Sequence, residues 1–183
     1  MADKIEIVRN AIKEYPDFPK KGIMFQDIFG VLSDPEANKA LNELALDHVQ
    51  RHSQKIDKIA ALDSRGFLLG NAMALAVGKP FVPIRKAGKL PGECRRVSYS
   101  LEYGEDSLEI QSASLKEGDR VLIVDDLMAT GGTMSAAASL VTECGARVEH
   151  CWVVIELRDL QGREKLLKKG HKLEALIVME GVE

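Results

Sequence analysis

The chain has 183 residues, a length that suits one domain with a full core. Hydrophobic residues make up 45% of it and charged residues 29%, and the formal net charge is −3. This balance is typical of a soluble globular protein. It argues against nucleic acid as a partner, because nucleic-acid-binding domains are usually strongly basic. It also gives no reason to expect a membrane surface as a partner.

The three cysteines are Cys94, Cys144 and Cys151. Their number is odd and no two form a CxxC pair, so the sequence indicates neither a disulfide framework nor a zinc knuckle. The N-terminus is charged and lacks the apolar core of a signal peptide. The longest apolar run near the middle of the chain is too short to cross a bilayer. We therefore expect reduced thiols and a cytoplasmic location.

Near the N-terminus, Ile5, Val8 and Ile12 recur at helical spacing. This pattern predicts a helix over residues 3–15, which ends at Tyr15 because a proline follows. A turn-rich segment then leads to a short apolar stretch.

A second helix is predicted to begin beside Asp34 and Pro35. Asp34 is a good N-cap and Pro35 suits the first helical position. Ser33 and Glu36 have the spacing of a capping box. The buried stripe of this helix is predicted to consist of Ala37, Leu41, Leu44 and Val49.

Strands and helices alternate through the rest of the chain. Strands are predicted at residues 58–62, 81–84, 120–124, 148–155 and 175–178, and helices at residues 66–77, 133–144 and 161–169. Such alternation indicates an α/β fold with a parallel sheet, here in a single domain over residues 1–183.

Residues 86–118 interrupt this alternation with a polar, glycine-containing segment. Apolar side chains alternate within it at Val97, Tyr99, Leu101 and Tyr103, and again at Leu108 and Ile110. The pattern predicts an antiparallel β-hairpin that projects from the sheet. Long excursions of this kind often serve as lids or binding loops.

The segment most informative about chemistry is residues 121–133, VLIVDDLMATGGT. An apolar strand ends on Asp125 and Asp126, and a glycine-rich turn then enters a helix. Ligands of open parallel sheets bind at the carboxyl ends of the strands. The free N–H groups and the positive dipole end of the helix favour a dianionic phosphate, and the threonine hydroxyls can add hydrogen bonds.

The two aspartates offer acceptor oxygens to vicinal ribose hydroxyls, so this segment can hold a sugar together with its 5-phosphate. The carboxylates can also balance positive charge that develops at the anomeric carbon. Two aspartates alone would fit an ordinary strand end with a capping residue. Neither a P-loop nor a GxGxxG dinucleotide fingerprint occurs in the chain.

Two further loops have more than one interpretation from their residues alone. The turn 63–66 is either a second anion site or an ordinary turn with Arg65 in a surface ion pair. Arg85, Lys86 and Lys89 form either a basic binding cluster or a solvated charged face.

Other polar residues have plain interpretations. Glu102, in the hairpin, fits a solvated strand carboxylate. His48 and His52 are one helical turn apart, which permits metal binding. No carboxylate or third histidine motif accompanies them, so we interpret both as residues on the surface of a helix.

The strand, the paired aspartates and the TGGT loop resemble the type I phosphoribosyltransferases. The resemblance extends to the adenine-specific members of that family in five collinear blocks that span nearly the whole chain. The blocks are YPDFP at 15–19, GIMF at 22–25, LDSRGF at 62–67, IRKAGKLP at 84–91 and YSLEYG at 99–104. Each block alone is weak, whereas together they are highly specific.

The resemblance implies a central, mostly parallel sheet flanked by helices, an N-terminal hood over residues 1–34 and a flexible hairpin loop over residues 86–118. It implies purine salvage, in which adenine and 5-phosphoribosyl-1-pyrophosphate give AMP and pyrophosphate. Mg²⁺ would be the cofactor, held mainly by substrate and water rather than by the protein. A homodimer is also implied.

Two alternatives are compatible with the same segments. One is a 6-oxopurine or orotate phosphoribosyltransferase, which a hood placed before the core disfavours for the 6-oxopurine enzymes. The other is a ligand-sensing regulator built on the same fold, a class that usually carries a separate DNA-binding segment.

The resemblance also assigns roles to residues. The ribose 5-phosphate residues are Asp125, Asp126, Ala129, Thr130, Gly131, Gly132 and Thr133. The pyrophosphate residues are Asp63, Ser64, Arg65, Lys86 and Lys89, with a cis peptide implied between Asp63 and Ser64. The adenine residues are Met24, Phe25, Gln26 and Leu127, although the family usually has arginine where this chain has Gln26. The catalytic residues are Glu102, Asp126, Arg65 and Lys89, and Tyr103 helps to close the site.

Overall fold

The computed structural model describes residues 1–101 and 104–180. Its helices are α1 (Ala2–Ala11), α2 (Phe29–Ser33), α3 (Pro35–His52), α4 (Arg65–Val77), α5 (Gly132–Glu143) and α6 (Gly162–Lys168). Its strands are β1 (Lys13–Pro16), β2 (Met24–Asp27), β3 (Lys58–Leu62), β4 (Phe81–Lys86), β5 (Cys94–Leu101), β6 (Gly104–Gln111), β7 (Arg120–Met128), β8 (Arg147–Leu157) and β9 (Leu173–Met179).

Seven of these strands form one sheet in the order β5-β6-β4-β3-β7-β8-β9. Strands β4, β3, β7, β8 and β9 run parallel to one another, whereas β6 pairs antiparallel with both β4 and β5. Strands β3 and β8 are almost entirely buried, as expected where helices cover both faces of a parallel sheet. The predicted α/β class with a mostly parallel sheet is confirmed.

Two apolar cores lie on opposite faces of the sheet. One joins the sheet to α1, α3 and α4 and includes Leu41, Met73 and Trp152. The other joins it to α5 and includes Ile84 and Leu140. Burial of each large apolar side chain contributes about 1.5–3 kcal/mol. The two cores hold the strands in register and thereby fix the loops that follow them.

The predicted N-terminal helix is too long. Helix α1 ends at Ala11, and residues 13–16 form β1, which pairs with β2 in an antiparallel ribbon. All four residues of β1 are exposed, so it has no apolar pattern of its own to detect. Its strand conformation depends on the partner, and this ribbon builds the hood.

The start of α3 matches its predicted N-cap. The Oδ1 atom of Asp34 accepts hydrogen bonds from the backbone N–H groups of Glu36 and Ala37, at 2.9 and 3.0 Å. The predicted capping box is wrong, because the hydroxyl of Ser33 donates to the carbonyl of Gly30 instead. Ser33 ends α2, so its side chain bonds back into that helix.

Strand β7 is longer than predicted. It does not end at the first acidic residue but continues to Met128, paired with β8 as far as Glu156. Strand β8 continues to pair with β7 beyond Val124, where the residues of β7 change from apolar to acidic. Asp125 and Asp126 therefore lie on a sheet strand rather than on a loop.

The hairpin joins the sheet at its base. Strand β6 pairs with β4 through Arg85 opposite Glu109 and Lys86 opposite Leu108. The hairpin is therefore the edge of the sheet as well as an excursion from it. Glu102 and Tyr103 lie outside the described residues, so their proposed roles stay predictions.

The cysteines are free thiols. Burial raises the pKa of Cys151 to about 12, which keeps this core thiol protonated and inert. Among the described residues, no helix combines the length and the apolar character needed to cross a membrane.

The interpretation of His48 as a surface residue is wrong. His48 is 4% exposed and continues the buried stripe of α3 that includes Leu41 and Leu44. Its Nε2 atom lies 2.9 Å from Nε2 of His150, a buried residue of β8. Burial lowers the pKa of His48 to about 3 and that of His150 to about 4. Residue His52, one turn later, is partly exposed, as the helical pattern suggested.

Candidate active site

Three loops meet at one edge of the sheet. They follow β3, β4 and β7, and β3 lies between the other two strands. All three strands run in the same direction, so their carboxyl ends lie side by side. The fold thereby brings together the segments 63–65, 85–89 and 125–133, which the sequence separates widely.

The loop 129–133 has the geometry of an anion-binding turn. Gly131 has φ +74° and immediately precedes α5. The first N–H groups of a helix have no partner within the helix, so they are available to a phosphate. Thr130 is exposed and Thr133 is half-buried, which leaves both hydroxyls near the surface of the loop.

A glycine outside the predicted set supports this loop. A Cβ atom on Gly162, the first residue of α6, would lie 2.2 Å from the carbonyl oxygen of Ala129. A Cβ atom on Gly131 would in turn lie 2.8 Å from the carbonyl oxygen of Gly162. The two backbones are in direct contact, and only glycine permits that approach. No local sequence signal marks Gly162, because its neighbour is about thirty residues away in the chain.

The paired carboxylates differ in their surroundings. Asp126 is 4% exposed and accepts a hydrogen bond at its Oδ2 atom from Nε of Arg65 at 2.5 Å. Asp125 accepts a hydrogen bond from the backbone N–H of Asp126. Burial and the adjacent Asp126 carboxylate raise the pKa of Asp125 well above its usual range. A hydroxyl donor or a cation at Asp125 would favour its ionised form.

Helix α4 begins very close to β7. A Cβ atom on Gly66 would lie 2.9 Å from the carbonyl oxygen of Val124 and 3.0 Å from Oδ1 of Asp125. This approach holds the turn after β3 against the carboxylates. The peptide bond between Asp63 and Ser64 in that turn is cis, as the family resemblance implied.

Arg65 links the turn to the hood. Its guanidinium carbon lies 5.6 Å from the ring centroid of Phe25, within the range of cation–π interactions. The Phe25 ring also packs edge-on against Phe18, with centroids 5.0 Å apart. One side chain, Arg65, thus contacts both the hood and the acidic strand end.

Arg85 holds two of the loops together. Its Nε atom donates to Asp63 at 2.9 Å, and its guanidinium also donates to the carbonyl of Lys89 at 3.1 Å. Asp63, a predicted pyrophosphate residue, is therefore engaged with an arginine. The side chain of Lys89 is exposed at the same loop.

Glu109 is a buried carboxylate that sequence reasoning missed. Its Oε1 atom accepts from the backbone N–H groups of Lys89 and Leu90, both at 2.8 Å, and Oε2 accepts from Arg96 at 3.0 Å. Burial alone would raise the pKa of Glu109, but these hydrogen bonds and one from Gly88 lower it to about 2. Glu109 lies between the alternating apolar residues Leu108 and Ile110, and the loop 88–90 covers its side chain.

Lys86 is directed toward the hairpin. Its ammonium group lies 2.9 Å from Oδ2 of Asp106, a pairing that raises the pKa of Lys86 and lowers the pKa of Asp106. The hydroxyl of Tyr99 lies 3.5 Å from both Asp106 and Thr133. The hairpin therefore reaches the TGGT loop through Tyr99.

The predicted base residues take different positions. Met24 and Phe25 are half-buried in β2, and Leu127 packs against the core on the α1–α3–α4 face. Gln26 is buried, and its amide nitrogen donates to Glu14 of β1 at 3.0 Å. The amide oxygen of Gln26 has no hydrogen-bond partner within the described part of the chain. Phe25 reaches the site through Arg65, whereas Gln26 braces the hood ribbon.

Comparison with known proteins agrees with this geometry. The model of the phosphoribosyl transferase domain matches residues 31–178. Adenine phosphoribosyltransferase of Drosophila pseudoobscura pseudoobscura is 47% identical over 171 residues, which cover 93% of this chain and 94% of that protein. Adenine phosphoribosyltransferase 3 of Arabidopsis thaliana is 49% identical over 175 residues, which cover 95% and 93%.

A solved structure gives the same result in three dimensions. Adenine phosphoribosyltransferase from Saccharomyces cerevisiae, complexed with an imino-altritol bisphosphate and adenine, superposes with a TM-score of 0.90 at 41% identity. The match covers 97% of this chain and 100% of the yeast chain. From the domain match, the identities and the shared fold, the chain belongs to the phosphoribosyltransferase family, within its group of adenine phosphoribosyltransferases.

Proposed function

We propose that the chain transfers the 5-phosphoribosyl group of 5-phosphoribosyl-1-pyrophosphate to N9 of adenine, giving AMP and pyrophosphate. The observation that carries this proposal is the position of Arg65. Its side chain contacts Asp126 of the acidic strand end and Phe25 of the hood. A ribose held by Asp126 and an adenine held beside Phe25 would therefore meet next to Arg65.

The ribose 5-phosphate end would bind at β7 and α5. Backbone N–H groups at the start of α5, together with Thr130 and Thr133, suit the 5-phosphate. The carboxylates of Asp125 and Asp126 suit the vicinal hydroxyls of the ribose that carries this phosphate. Since both aspartates lie on a sheet strand, the sugar would be held by a rigid element.

The reaction breaks the bond between C1 of the ribose and the pyrophosphate oxygen, and it forms the bond from C1 to N9 of adenine. The electron pair of the broken bond leaves with pyrophosphate, and adenine gives up its N9 proton. Positive charge develops on the ribose between these events. The carboxylate of Asp126 stabilises that charge, while Arg65 and Lys89 neutralise the leaving group.

The ion pair between Arg65 and Asp126 would open when substrate binds. Arg65 then turns its charge to pyrophosphate, and Asp126 turns its oxygens to the ribose. Each group keeps a partner of opposite charge or a hydrogen-bond donor throughout, so neither is buried unpaired. Glu102 stays the predicted proton-transfer residue on the strength of the family resemblance, and Tyr103 the predicted closing residue.

Mg²⁺ fits this site as an ion carried by the substrate. The described residues gather no group of three or more metal-binding side chains at this edge, and Asp126 and Asp63 are engaged with arginines. Magnesium bound to phosphates usually keeps several waters and takes few protein ligands. When bound, it would neutralise charge on the pyrophosphate, with Asp125 and Asp126 reaching it through ribose hydroxyls or water.

We also propose a homodimer in the cytoplasm. Large apolar side chains such as Phe29, Leu68 and Leu75 are at least half exposed, which suits burial against a second copy. Free thiols suit a reducing compartment. Sedimentation of the purified protein tests the dimer, since a monomer at micromolar concentration would contradict it.

A substrate screen tests the activity. Purified protein is given 5-phosphoribosyl-1-pyrophosphate, Mg²⁺ and, in turn, adenine, hypoxanthine or orotate, and pyrophosphate release is followed. We expect turnover with adenine alone. Turnover of hypoxanthine or orotate instead would assign a different base, and no turnover with any base would favour the sensing alternative.

A further inference from the structure

Three of the four histidines gather with a glutamate away from the active site. His48 and His52 end α3, His150 lies near the start of β8, and Glu174 lies near the start of β9. The active-site loops follow the carboxyl ends of β3, β4 and β7, so the cluster lies toward the opposite ends of the strands. One ligand atom from each of the four side chains falls within 4.8 Å of the others.

The cluster is organised by short contacts between its members. Nε2 of His48 lies 2.9 Å from Nε2 of His150. Nδ1 of His48 lies 3.5 Å from one carboxylate oxygen of Glu174, and Nε2 of His52 lies 3.6 Å from the other. The carboxylate of Glu174, on β9, thus lies near two imidazoles of helix α3. His48 and His150 are buried, whereas His52 and Glu174 are partly exposed and leave a path from solvent.

The orientation of His52 is the most informative feature. Its Nδ1 atom donates a hydrogen bond to the carbonyl of His48 at 2.9 Å. In the neutral ring, Nε2 then carries a lone pair and lies 3.6 Å from a carboxylate oxygen of Glu174. Two acceptors at this distance would be stabilised by a cation between them. Backbone carbonyls orient the imidazole ligands of metal sites in the same way.

We propose that His48, His52, His150 and Glu174 bind one divalent transition-metal ion of the zinc class. Three imidazole nitrogens and one carboxylate oxygen match the ligand type and number of tetrahedral zinc sites. The same set is unsuited to Mg²⁺, which prefers oxygen ligands. The site is therefore chemically distinct from the substrate-borne magnesium of the proposed reaction and does not depend on that reaction.

Binding requires a modest rearrangement. Zinc ligands at about 2.0–2.1 Å in a tetrahedron lie about 3.4 Å from one another. The Nε2 atoms of His48 and His150, now 2.9 Å apart, must therefore separate slightly. Ligand atoms that are up to 4.8 Å apart must come closer to one another. His52 and Glu174 are partly exposed, so rotation of their side chains can supply most of the change. An ion there would join α3 to β8 and β9 and stabilise that end of the fold.

The test uses the full-length protein freed of metal by a chelator and dialysis. Zn²⁺ is titrated in competition with a chromophoric chelator, and Co²⁺ is titrated separately for its visible d–d absorption. We expect one ion per chain, tetrahedral absorption with Co²⁺ and a higher Tm with Zn²⁺. His52→Ala and Glu174→Gln should each weaken Zn²⁺ binding at least about tenfold, and His171→Ala, a histidine outside the cluster, should not.

Both test residues are partly exposed, so these variants are expected to fold, and circular dichroism checks that they do. The proposal is overturned if wild-type protein binds no Zn²⁺, or if His52→Ala and Glu174→Gln bind it as well as His171→Ala does. Octahedral rather than tetrahedral Co²⁺ absorption would also overturn it. Pyrophosphate release with adenine and Mg²⁺ is a separate readout and should persist in both variants.

Discussion

The Nε atom of Arg65 donates to Oδ2 of Asp126 at 2.5 Å, joining the turn after β3 to the end of β7. The two residues are 61 positions apart in the chain. Their pairing places the residues predicted to bind pyrophosphate and those predicted to bind ribose in one site. It also keeps a nearly buried carboxylate paired with a cation before substrate arrives.

We expect Asp126→Asn to lower kcat about 10²–10³-fold, because the amide cannot balance positive charge on the ribose. The fold should persist, since asparagine has the same shape and the residue lies on a well-paired strand. Steady-state kinetics and thermal unfolding together check this. Asp47→Asn, which removes an exposed partner of Arg51, is the matched control. Near wild-type turnover in Asp126→Asn would remove the residue from the mechanism.

Glu109→Gln should raise the KM for 5-phosphoribosyl-1-pyrophosphate, because Glu109 holds the backbone of Lys89 and Leu90. It should also cost about 1–3 kcal/mol of stability, since three hydrogen-bond donors lose a buried, charged acceptor. Kinetics and urea unfolding measure the two effects. A loss of stability with unchanged KM would make Glu109 a structural residue only.

The contribution of Glu109 to stability should depend on pH. Its pKa is about 2 in the folded protein against an ordinary value of 4.5. As the pH falls below about 4.5, the unfolded chain takes up a proton that the folded protein refuses, so stability is lost until about pH 2. The difference in unfolding free energy between wild type and Glu109→Gln should therefore be constant above about pH 5 and shrink below it. A difference that grows on acidification would contradict the assignment.

Gly162→Ala should displace the phosphate loop, because its Cβ would lie 2.2 Å from a backbone oxygen that cannot turn aside. We expect the KM for 5-phosphoribosyl-1-pyrophosphate to rise about tenfold or more, a cost of about 1.4 kcal/mol. Gly170→Ala is the control, since a Cβ there meets nothing within 4 Å. That control should lose only about 1–2 kcal/mol of stability from its positive φ. Equal kinetics in the two variants would show that the contact is not needed.

Glu102→Ala tests the residue assigned by resemblance. If Glu102 transfers a proton, kcat should fall about 10²–10⁴-fold while the unfolding midpoint changes little. Kinetics and thermal unfolding on the same preparation separate the two outcomes. Equal losses of activity and stability would argue for a structural role.

Some of this protein could be predicted from its sequence because the determining interactions are local. The apolar run of β3 and the N-cap Asp34 each act within a few residues, and both were predicted correctly. The segment 121–133 carries strand, carboxylates and phosphate loop in thirteen consecutive residues. Its chemistry can therefore be read without knowledge of the fold.

Other features depend on residues that only tertiary structure brings together. Strand β1 is defined by its partner β2, and β7 extends past its apolar run because β8 continues beside it. Glu109 is buried because the loop 88–90 covers it, and Gly162 matters because Ala129 lies against it.

The histidines show most clearly what could not be predicted from the sequence. His48 and His52 lacked a third histidine and a carboxylate in their own segment, and the packing of α3 on β8 and β9 supplies His150 and Glu174. The local pattern determined the helix and its buried stripe. The sheet order decided which side chains meet across more than a hundred residues. Contacts between two elements do not appear in the hydrophobic periodicity of either element, so the sequence pattern does not reveal them.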